Sequence, residues 1–584
     1  MNLAQYFMSF FATLVYPGGS TSVPDVPTKN QTQPNIIVIV TDDMGWDDVG
    51  YHGSNEIPTP NLDALAYSGV ILDRHYTLPT CTPSRAAFLT GRHPIRMGLQ
   101  GLPMNVGEPR AMPLREKILP EYLQKLGYST KLVGKWHLGY YTPEHTPTKR
   151  GFDSFVGYYG GVVTYFNHNV TKDKHCGIDF HLDTPDGIKP YKHDEYLTDF
   201  IGTESEKIIR NHNKEKPLYL HIAHLAGHSS EGFETLETRN MSEVNNTLGY
   251  IPKLNRRKYA GIITAMDESI GKIMKALSDE NMLKNSIIVF MSDNGAPSDI
   301  SPDPTIPYTN YGSNYPLRGI KSGLHEGGVR VPTVIFSPLI ERSSRISNDL
   351  FHVTDWFPTL YKLAGGDLDN IKDIDGIDQW PTISQGRKSD RNSVFLNIDE
   401  VLRNEGAIKG EFKYMKLGHS SFGKHYGKRG QEYSPSYNVT SVLESQTAKA
   451  IDSLKQHLLP GDDAITRLRK ETEIKCEEKL EHPDCPDGCL FNIFEDPCET
   501  TNIKDKHPEV VDSLKKYISG HKSILMNQTN TYIDPNGYPD NFKGFWMPWL
   551  DHEYTPPVNR NLSVIWSVQV FCEGWPADDP RSCL

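Results

Sequence analysis

Hydrophobic and polar positions follow two periods along this chain, and the switches between them predict its elements. Residues 35–40, Asn-Ile-Ile-Val-Ile-Val, form an unbroken β-branched run that ends in Thr41-Asp42-Asp43. A strand that is apolar at every position has both faces covered, as in a parallel sheet between helices. Similar segments recur at 129–133, 218–223, 286–291 and 331–336. Between two of them, Tyr259, Ile262, Ile263, Met266, Ile270, Ile273, Met274 and Leu277 fall at i, i+3, i+4, i+7. That spacing predicts an amphipathic helix packed on the sheet, with its methionines in the core. Further helices are predicted after Thr59-Pro60, with Thr59 as N-cap and Pro60 at N1, and over about 115–126, where Gly127 is a suitable stop. Strands alternating with helices define an α/β fold with a large, mainly parallel sheet.

The texture changes near residue 395. Glycine, tyrosine and charge rise, the long apolar runs end, and six of the eight cysteines (Cys476, Cys485, Cys489, Cys498, Cys572 and Cys583) gather beyond residue 470. We expect a catalytic domain over 34–395 and a smaller C-terminal domain over 396–584, stapled by disulfides. Cys485-x3-Cys489 is also readable as half of a zinc site, but no C-x2-C or histidine pair accompanies it. Residues 229–256 are polar, carry two sequons and suit a surface insertion.

At the N-terminus an apolar run, Ala4 to Tyr16, is broken by Pro17-Gly18-Gly19 and followed by small residues, which predicts a signal peptide over 1–22 despite an n-region without Lys or Arg. Seven N-x-[ST] sequons, at Asn30, Asn169, Asn240, Asn245, Asn438, Asn527 and Asn561, point the same way. The expected route is the secretory pathway, with a lysosomal or extracellular destination. With 61 basic and 73 acidic residues, a net charge of −12 and no basic run, the chain is a poor partner for nucleic acid or an anionic membrane. No stretch reaches the ~20 apolar residues of a membrane span.

Candidate chemistry lies at the strand ends. In open α/β sheets ligands collect at the carboxyl edge, and there two strands finish in Asp42-Asp43 and Asp293-Asn294. Adjacent carboxylates need a cation or a shared proton, and this oxygen-rich set suits a hard divalent ion such as Ca²⁺ or Mg²⁺. A second signal is Cys81-Thr82-Pro83-Ser84-Arg85. With Thr82 as N-cap, Pro83 at N1 and Gly91 as the stop, Cys81 stands at a helix N-terminus, where free N–H groups favour an anion. Arg85, one turn on, suits a tetrahedral oxyanion.

The run from Cys81 to Arg92, C-T-P-S-R-A-A-F-L-T-G-R, resembles the C-x-P-S-R signature of the type I sulfatases. T-D-D-M-G-W-D-D-V-G after the first strand, Gly134-Lys135-Trp136-His137-Leu138-Gly139, Ser292-Asp293-Asn294-Gly295 and Leu317-Arg318-Gly319-Ile320-Lys321 resemble the rest of that family's pocket. The likeness is to the arylsulfatase B branch and runs from about residue 34 to 400. It implies the alkaline-phosphatase-like sulfatase fold, with a minor antiparallel sheet in the C-terminal domain. It also implies that a formylglycine-generating enzyme oxidises Cys81 to Cα-formylglycine, hydrated to a gem-diol. One Ca²⁺ would be held by Asp42, Asp43, Asp293, Asn294 and an oxygen of the converted residue 81. Arg85 would hold the formylglycine and the sulfate, and Lys135, His137, Lys321 and His228 would contact the sulfate or move protons. The implied mechanism is in-line attack of a gem-diol oxygen on sulfur, protonation of the leaving alcohol by His228 or Lys321, and release of sulfate after His137 deprotonates the second hydroxyl.

The substrate implied is N-acetylgalactosamine 4-sulfate, with a glucosinolate or another sulfated small molecule as the alternative. Two departures from the family pattern stand out. His228 lies in Ala-Gly-His-Ser-Ser instead of a Val-His-Glu-Pro-like stretch, and Cys176 lacks its usual disulfide partner and is expected as a free thiol. A phosphatase or phosphodiesterase of the same superfamily would carry Ser or Thr at position 81 and two zinc ions. An inactive binding protein would have lost Cys81, Arg85 or a metal ligand, and all are present.

Overall fold

The structure, a computed structural model, describes residues 33–230, 234–298, 309–418, 426–476 and 483–553. The apolar runs become strands of one ten-stranded sheet. At its centre are five parallel strands, β1 (Asn35–Thr41), β2 (Ser129–Lys135), β3 (Ser154–Tyr158), β4 (Leu218–Ala223) and β5 (Ser286–Ser292), in the order β5-β1-β4-β2-β3. Every residue of β1, β4 and β5 is buried, which is why these strands read as continuous apolar runs.

Antiparallel strands flank this centre. Thr333–Phe336 runs against β5 and Val70–Leu72 against that, while His181–Thr184 and Gly187–Pro190 extend the sheet beyond β3. The strand expected over 331–336 is therefore shorter and reversed. Pro332 has no N–H to give the ladder, so pairing begins at Thr333.

Helix α1 spans Cys81–Thr90, α2 spans Leu197–Arg210 and α3 spans Leu254–Asp279. All eight residues of the predicted apolar stripe on α3 are buried. Helix α2 approaches α3 closely at Gly202, where a Cβ would stand 2.6 Å from the Ser269 hydroxyl. The helix expected over 115–126 spans Leu119–Lys125, because Pro120 is tolerated only in a first turn.

Farther along, Ser393–Asp399, Asn404–Lys409, Phe412–Lys416 and Cys489–Asn492 form a four-stranded antiparallel sheet. It is covered by the helix Pro508–Lys522 through Val511, Leu514 and Ile518. Between its last two strands the chain leaves this sheet, and the helix Gln446–Asp452 packs on α3.

Cys476 bonds to Cys498 and Cys485 to Cys489, so the Cys485-x3-Cys489 pair is a disulfide and not half of a zinc site. Cys176 is also disulfide-bonded, which corrects the expectation of a free thiol. Its hairpin meets a distant part of the chain: the Ile178 N–H donates to the Gly544 carbonyl at 2.9 Å, and Ile178 bridges to Phe545. Spacing along the sequence carried no sign of this return. Asn240, Asn245, Asn438 and Asn527 are exposed and Asn169 is half-buried, while Asn30, Asn561 and the segment 1–22 lie outside the described residues. Among the described residues no helix is long and apolar enough to cross a membrane.

A buried charge cluster ties the small sheet to the short helix Glu326–Val329 and to Tyr76. Lys413 Nζ lies 2.9 Å from Glu326 Oε1 and 2.8 Å from Glu499 Oε1, all three side chains wholly buried. Glu326 Oε2 accepts the Tyr76 hydroxyl at 2.9 Å, and the Glu326 N–H donates to Glu499 Oε2 at 2.8 Å.

Buried titratable groups set the pH range of this fold. Burial pushes the carboxyls of Asp47 up to about 8, and of Asp267 and Glu499 up to about 7. A raised folded-state value favours the protonated acid, so this contribution is lost as pH rises through 7 to 8. Burial also holds His52, His75, His93, His221 and His224 down at about 3, so their contribution is present above 6.5 and lost as pH falls below it. Melting temperature is therefore expected to peak between about pH 6 and 7. A scan from pH 5 to 9 that rises steadily to alkaline pH would contradict this account.

Candidate active site

Strands β1 and β5 are parallel neighbours with Thr41 opposite Ser292, so the residues that follow them emerge side by side. The Asp43 N–H donates to Asp293 Oδ1 at 3.2 Å, and Asn294 Nδ2 donates to Asp43 Oδ1 at 2.7 Å. Asp43 takes a left-handed conformation (φ 59°), which turns the chain sharply at the strand end.

Helix α1 begins at Cys81 with Thr80 as its N-cap residue, two positions earlier than expected. Thr82 does not cap, because its hydroxyl is used across the site: it donates to the His137 carbonyl and accepts the Met104 N–H, both at 3.1 Å. The predicted stop holds, since Gly91 is left-handed (φ 66°) and its N–H reaches the Ala87 carbonyl.

Around the start of α1, three cationic groups meet three carboxylates. Arg85 Nε and Nη2 both donate to Asp293 Oδ2, at 3.1 and 2.8 Å. Lys135, the last residue of β2, donates to Asp42 Oδ2 at 2.5 Å. Lys321 donates to both oxygens of Asp43, at 2.6 and 2.7 Å. His228 Nε2 lies 3.4 Å from both Asp43 Oδ2 and Lys321 Nζ. His228 and Lys321 are the more open members, at 15% and 14% exposure, so they mark the mouth, and the other charged groups form a buried floor. Ligand atoms of Cys81, Asp42 and Asp43 lie within 4.8 Å of one another. His137 stands apart from this contact set: its Nε2 lies 2.8 Å from the Met104 carbonyl, and Nδ1 is buried with no hydrogen-bond partner.

Electrostatics divide these groups. Burial alone would raise both Asp42 and Asp43, but Lys135 and His228 hold the first below the usual carboxylate range, and Lys321 and His228 the second. Asp293 is raised, because burial and the Asp42 charge outweigh Arg85. Burial lifts the Cys81 thiol to about 11 despite Lys135 and Lys321, so it is a neutral thiol and a poor nucleophile. Burial, then Lys135, hold His137 well below its ordinary value, so its ring is neutral.

The donor set fits a hard divalent cation. Asp42 Oδ1 and Asn294 Oδ1 are buried acceptors with no hydrogen-bond partner, a costly arrangement unless a cation or a donor meets them. Two residues that the sequence reading did not single out hold the surrounding loops. Asn310 Nδ2 donates at 2.8 Å to the carbonyls of both Asp43 and Gly227, and Asn314 ties Ala296 to Gly319. The small polar stretch at 310–314 was the signal available for them.

This arrangement on this sheet is that of a hydrolase acting on a tetrahedral anion, and comparison with known proteins specifies which. A family profile described as Sulfatase matches residues 34–366. Arylsulfatase J of Mus musculus is 33% identical over 538 residues, covering 91% of this chain and 82% of that protein. N-acetylgalactosamine-6-sulfatase of Homo sapiens is 31% identical over 423 residues, covering 70% and 76%. Of solved structures, Ps i-CgsB has a TM-score of 0.64 at 24% identity, covering 85% of this chain and 94% of that one. The PsFucS1 sulfatase from Pseudoalteromonas sp. has a TM-score of 0.61 at 22% identity, covering 86% and 92%. The chain belongs to the type I sulfatase family and is a sulfuric ester hydrolase.

Proposed function

We propose that this sulfatase cleaves its ester over the floor built by Cys81, Arg85 and Lys135, with Lys321 at its mouth, Cys81 converted to Cα-formylglycine by a formylglycine-generating enzyme and one Ca²⁺ held by Asp42, Asp43, Asp293 and Asn294. The observation that carries this reading is the buried, neutral thiol at the start of α1 inside a ring of charge. The Cys81 sulfur stands where the oxygens of the converted residue would be. Formylglycine supplies the oxygen nucleophile that a neutral thiol does not, and the cation supplies positive charge beside the sulfate oxygens.

The chain's own residues do the rest. Arg85 and Lys135 present positive charge on a buried floor and Lys321 presents it at the mouth, where charge-assisted bonds to sulfate oxygens are strong. His228 Nδ1 lies 2.6 Å from the Ser229 carbonyl, which only accepts, so Nδ1 carries the hydrogen and Nε2, beside Lys321, is the atom that exchanges a proton with the leaving alcohol. By the same reasoning His137 takes a proton at Nδ1.

For the substrate we infer a terminal sulfated N-acetylgalactosamine, of the 4-sulfate type, met in the lysosome or outside the cell. The arylsulfatase B-like motifs support the 4-sulfate position, and the likeness to a relative named N-acetylgalactosamine-6-sulfatase supports the sugar but not that position. Protein purified from a secretory host is expected to release sulfate from a 4-sulfated N-acetylgalactosamine oligosaccharide at least about tenfold more efficiently than from a glucosinolate or a generic aryl sulfate. Preference for the glucosinolate would replace this substrate by a detoxification role. No release from any of the three, with formylglycine found at position 81 by mass spectrometry, would overturn the substrate class.

A further inference from the structure

Among the described residues no hydrogen bond joins the His137 ring to the other proposed catalytic side chains, and a single bond sets its tautomer. The Met104 carbonyl, 2.8 Å from Nε2, can only accept, so Nε2 carries the hydrogen and Nδ1 the lone pair. Whichever way the Met104–Asn105 peptide faces therefore decides which ring atom is basic. The other end of that peptide, the Asn105 N–H, donates to Glu108 Oε1 at 3.1 Å, and Asn105 Nδ2 donates to the same oxygen at 3.2 Å. A peptide is planar, so holding its N–H aims its carbonyl.

Glu108 is itself held. Its Oε2 pairs with Arg110 Nε at 2.9 Å, and both side chains are almost wholly buried. Arg110 Nη2 donates to the carbonyls of Leu102 and Pro103 at 3.1 and 2.9 Å, and Nη1 donates to Asn530 Oδ1, which belongs to the C-terminal segment. With Thr82 holding the Met104 N–H, the peptides on both sides of Met104 are fixed. A buried ion pair is a poor way merely to anchor a loop, because its desolvation cost offsets most of its attraction.

We propose that Glu108, backed by Arg110, is a positioning residue that keeps His137 in its Nε2–H tautomer by orienting the Met104–Asn105 peptide. This inference rests on the proposed role of His137 as a proton acceptor. Through Asn530 it also makes the C-terminal segment part of the catalytic apparatus, which gives that segment a role beyond packing.

The test is a double-mutant cycle on a generic aryl sulfate, joined to a spectroscopic measurement. Glu108→Ala is expected to lower kcat about tenfold with KM changed less than about twofold, and Glu108→Gln, which keeps an acceptor oxygen for the Asn105 N–H, to recover most of the loss. In a His137→Ala background, Glu108→Ala should cost nothing further. A full additional tenfold loss in that background, or an unchanged kcat in Glu108→Ala alone, would overturn the positioning role. Wild-type activity in His137→Ala would instead refute the role of His137, a distinguishable failure. Should Glu108→Ala not fold, long-range ¹H–¹⁵N correlation spectra of histidine-labelled wild-type enzyme, with His137 assigned by its loss in His137→Ala, decide the matter: an Nε2–H tautomer is expected, and an Nδ1–H tautomer sinks the proposal.

Discussion

Replacing Cys81 by alanine is expected to abolish sulfate release, lowering kcat by about 10⁴-fold or more, as loss of a nucleophile does elsewhere. The side chain removed is small, buried at the first residue of α1 and charged in neither state, so the fold should survive with a melting temperature close to that of the unaltered protein. The two measurements belong together, because lost activity in a folded protein isolates chemistry from stability. Substantial turnover by Cys81→Ala would mean that the nucleophile lies elsewhere in the floor, and Asp42, Asp43 and Asp293 would be the groups to examine. Mass spectrometry of active wild-type protein should find residue 81 converted, since a thiol held at about 11 supplies almost no thiolate at neutral pH.

Lys413→Met should have the largest effect on stability, about 3–5 kcal/mol, because it removes the ammonium group shared by two buried carboxylates, leaving Glu499 without its cation and Glu326 with only Arg330, 3.4 Å away. Denaturant unfolding monitored on the small sheet measures it. The sign of its pH dependence follows from the same contacts. Glu499 already titrates near 7 through burial, and removing the lysine raises both acids further, so the folded state takes up protons that the unfolded chain does not. The loss should therefore be larger at pH 8 than at pH 6. Neutralising the acids as well, in Lys413→Met with Glu326→Gln and Glu499→Gln, should restore a good part of it. A loss under about 1 kcal/mol for the single variant would show that water or rearrangement compensates the carboxylates. The cluster also braces the loop from Leu317 to Val329, since Arg318 donates to the Glu499 carbonyl and Glu326 follows Lys321 by five residues. Some loss of activity is expected to accompany the loss of stability.

How much of this was legible in the chain depends on the range of the interaction concerned. The central strands and α3 could be read because burial on both faces, or on one stripe, writes itself into local periodicity. The start of α1 was misplaced by two residues. Thr82 is a good N-cap by type, but its hydroxyl is taken by His137 and Met104, contacts that no local rule anticipates. The oxygen cluster was legible as two separate acidic strand ends. Their meeting required the sheet order, which sets β1 beside β5 across a separation of about 250 residues.

By itself, then, the sequence determined the α/β class, the parallel core, the helix-terminal cysteine with Arg85 one turn on, and the family. Each of these rests on short-range backbone preference, burial periodicity or a compact motif. Only the tertiary structure decided the reversed flanking strands, the disulfide at Cys176, the return of Gln446–Asp452 onto α3, and the pairing of Arg85, Lys135 and Lys321 each with its own carboxylate. It alone placed Glu108 behind His137. Ion pairs, disulfides and strand order join residues hundreds of positions apart, and their partners are chosen by which surfaces the packed core brings together, a property that no local window of the chain contains.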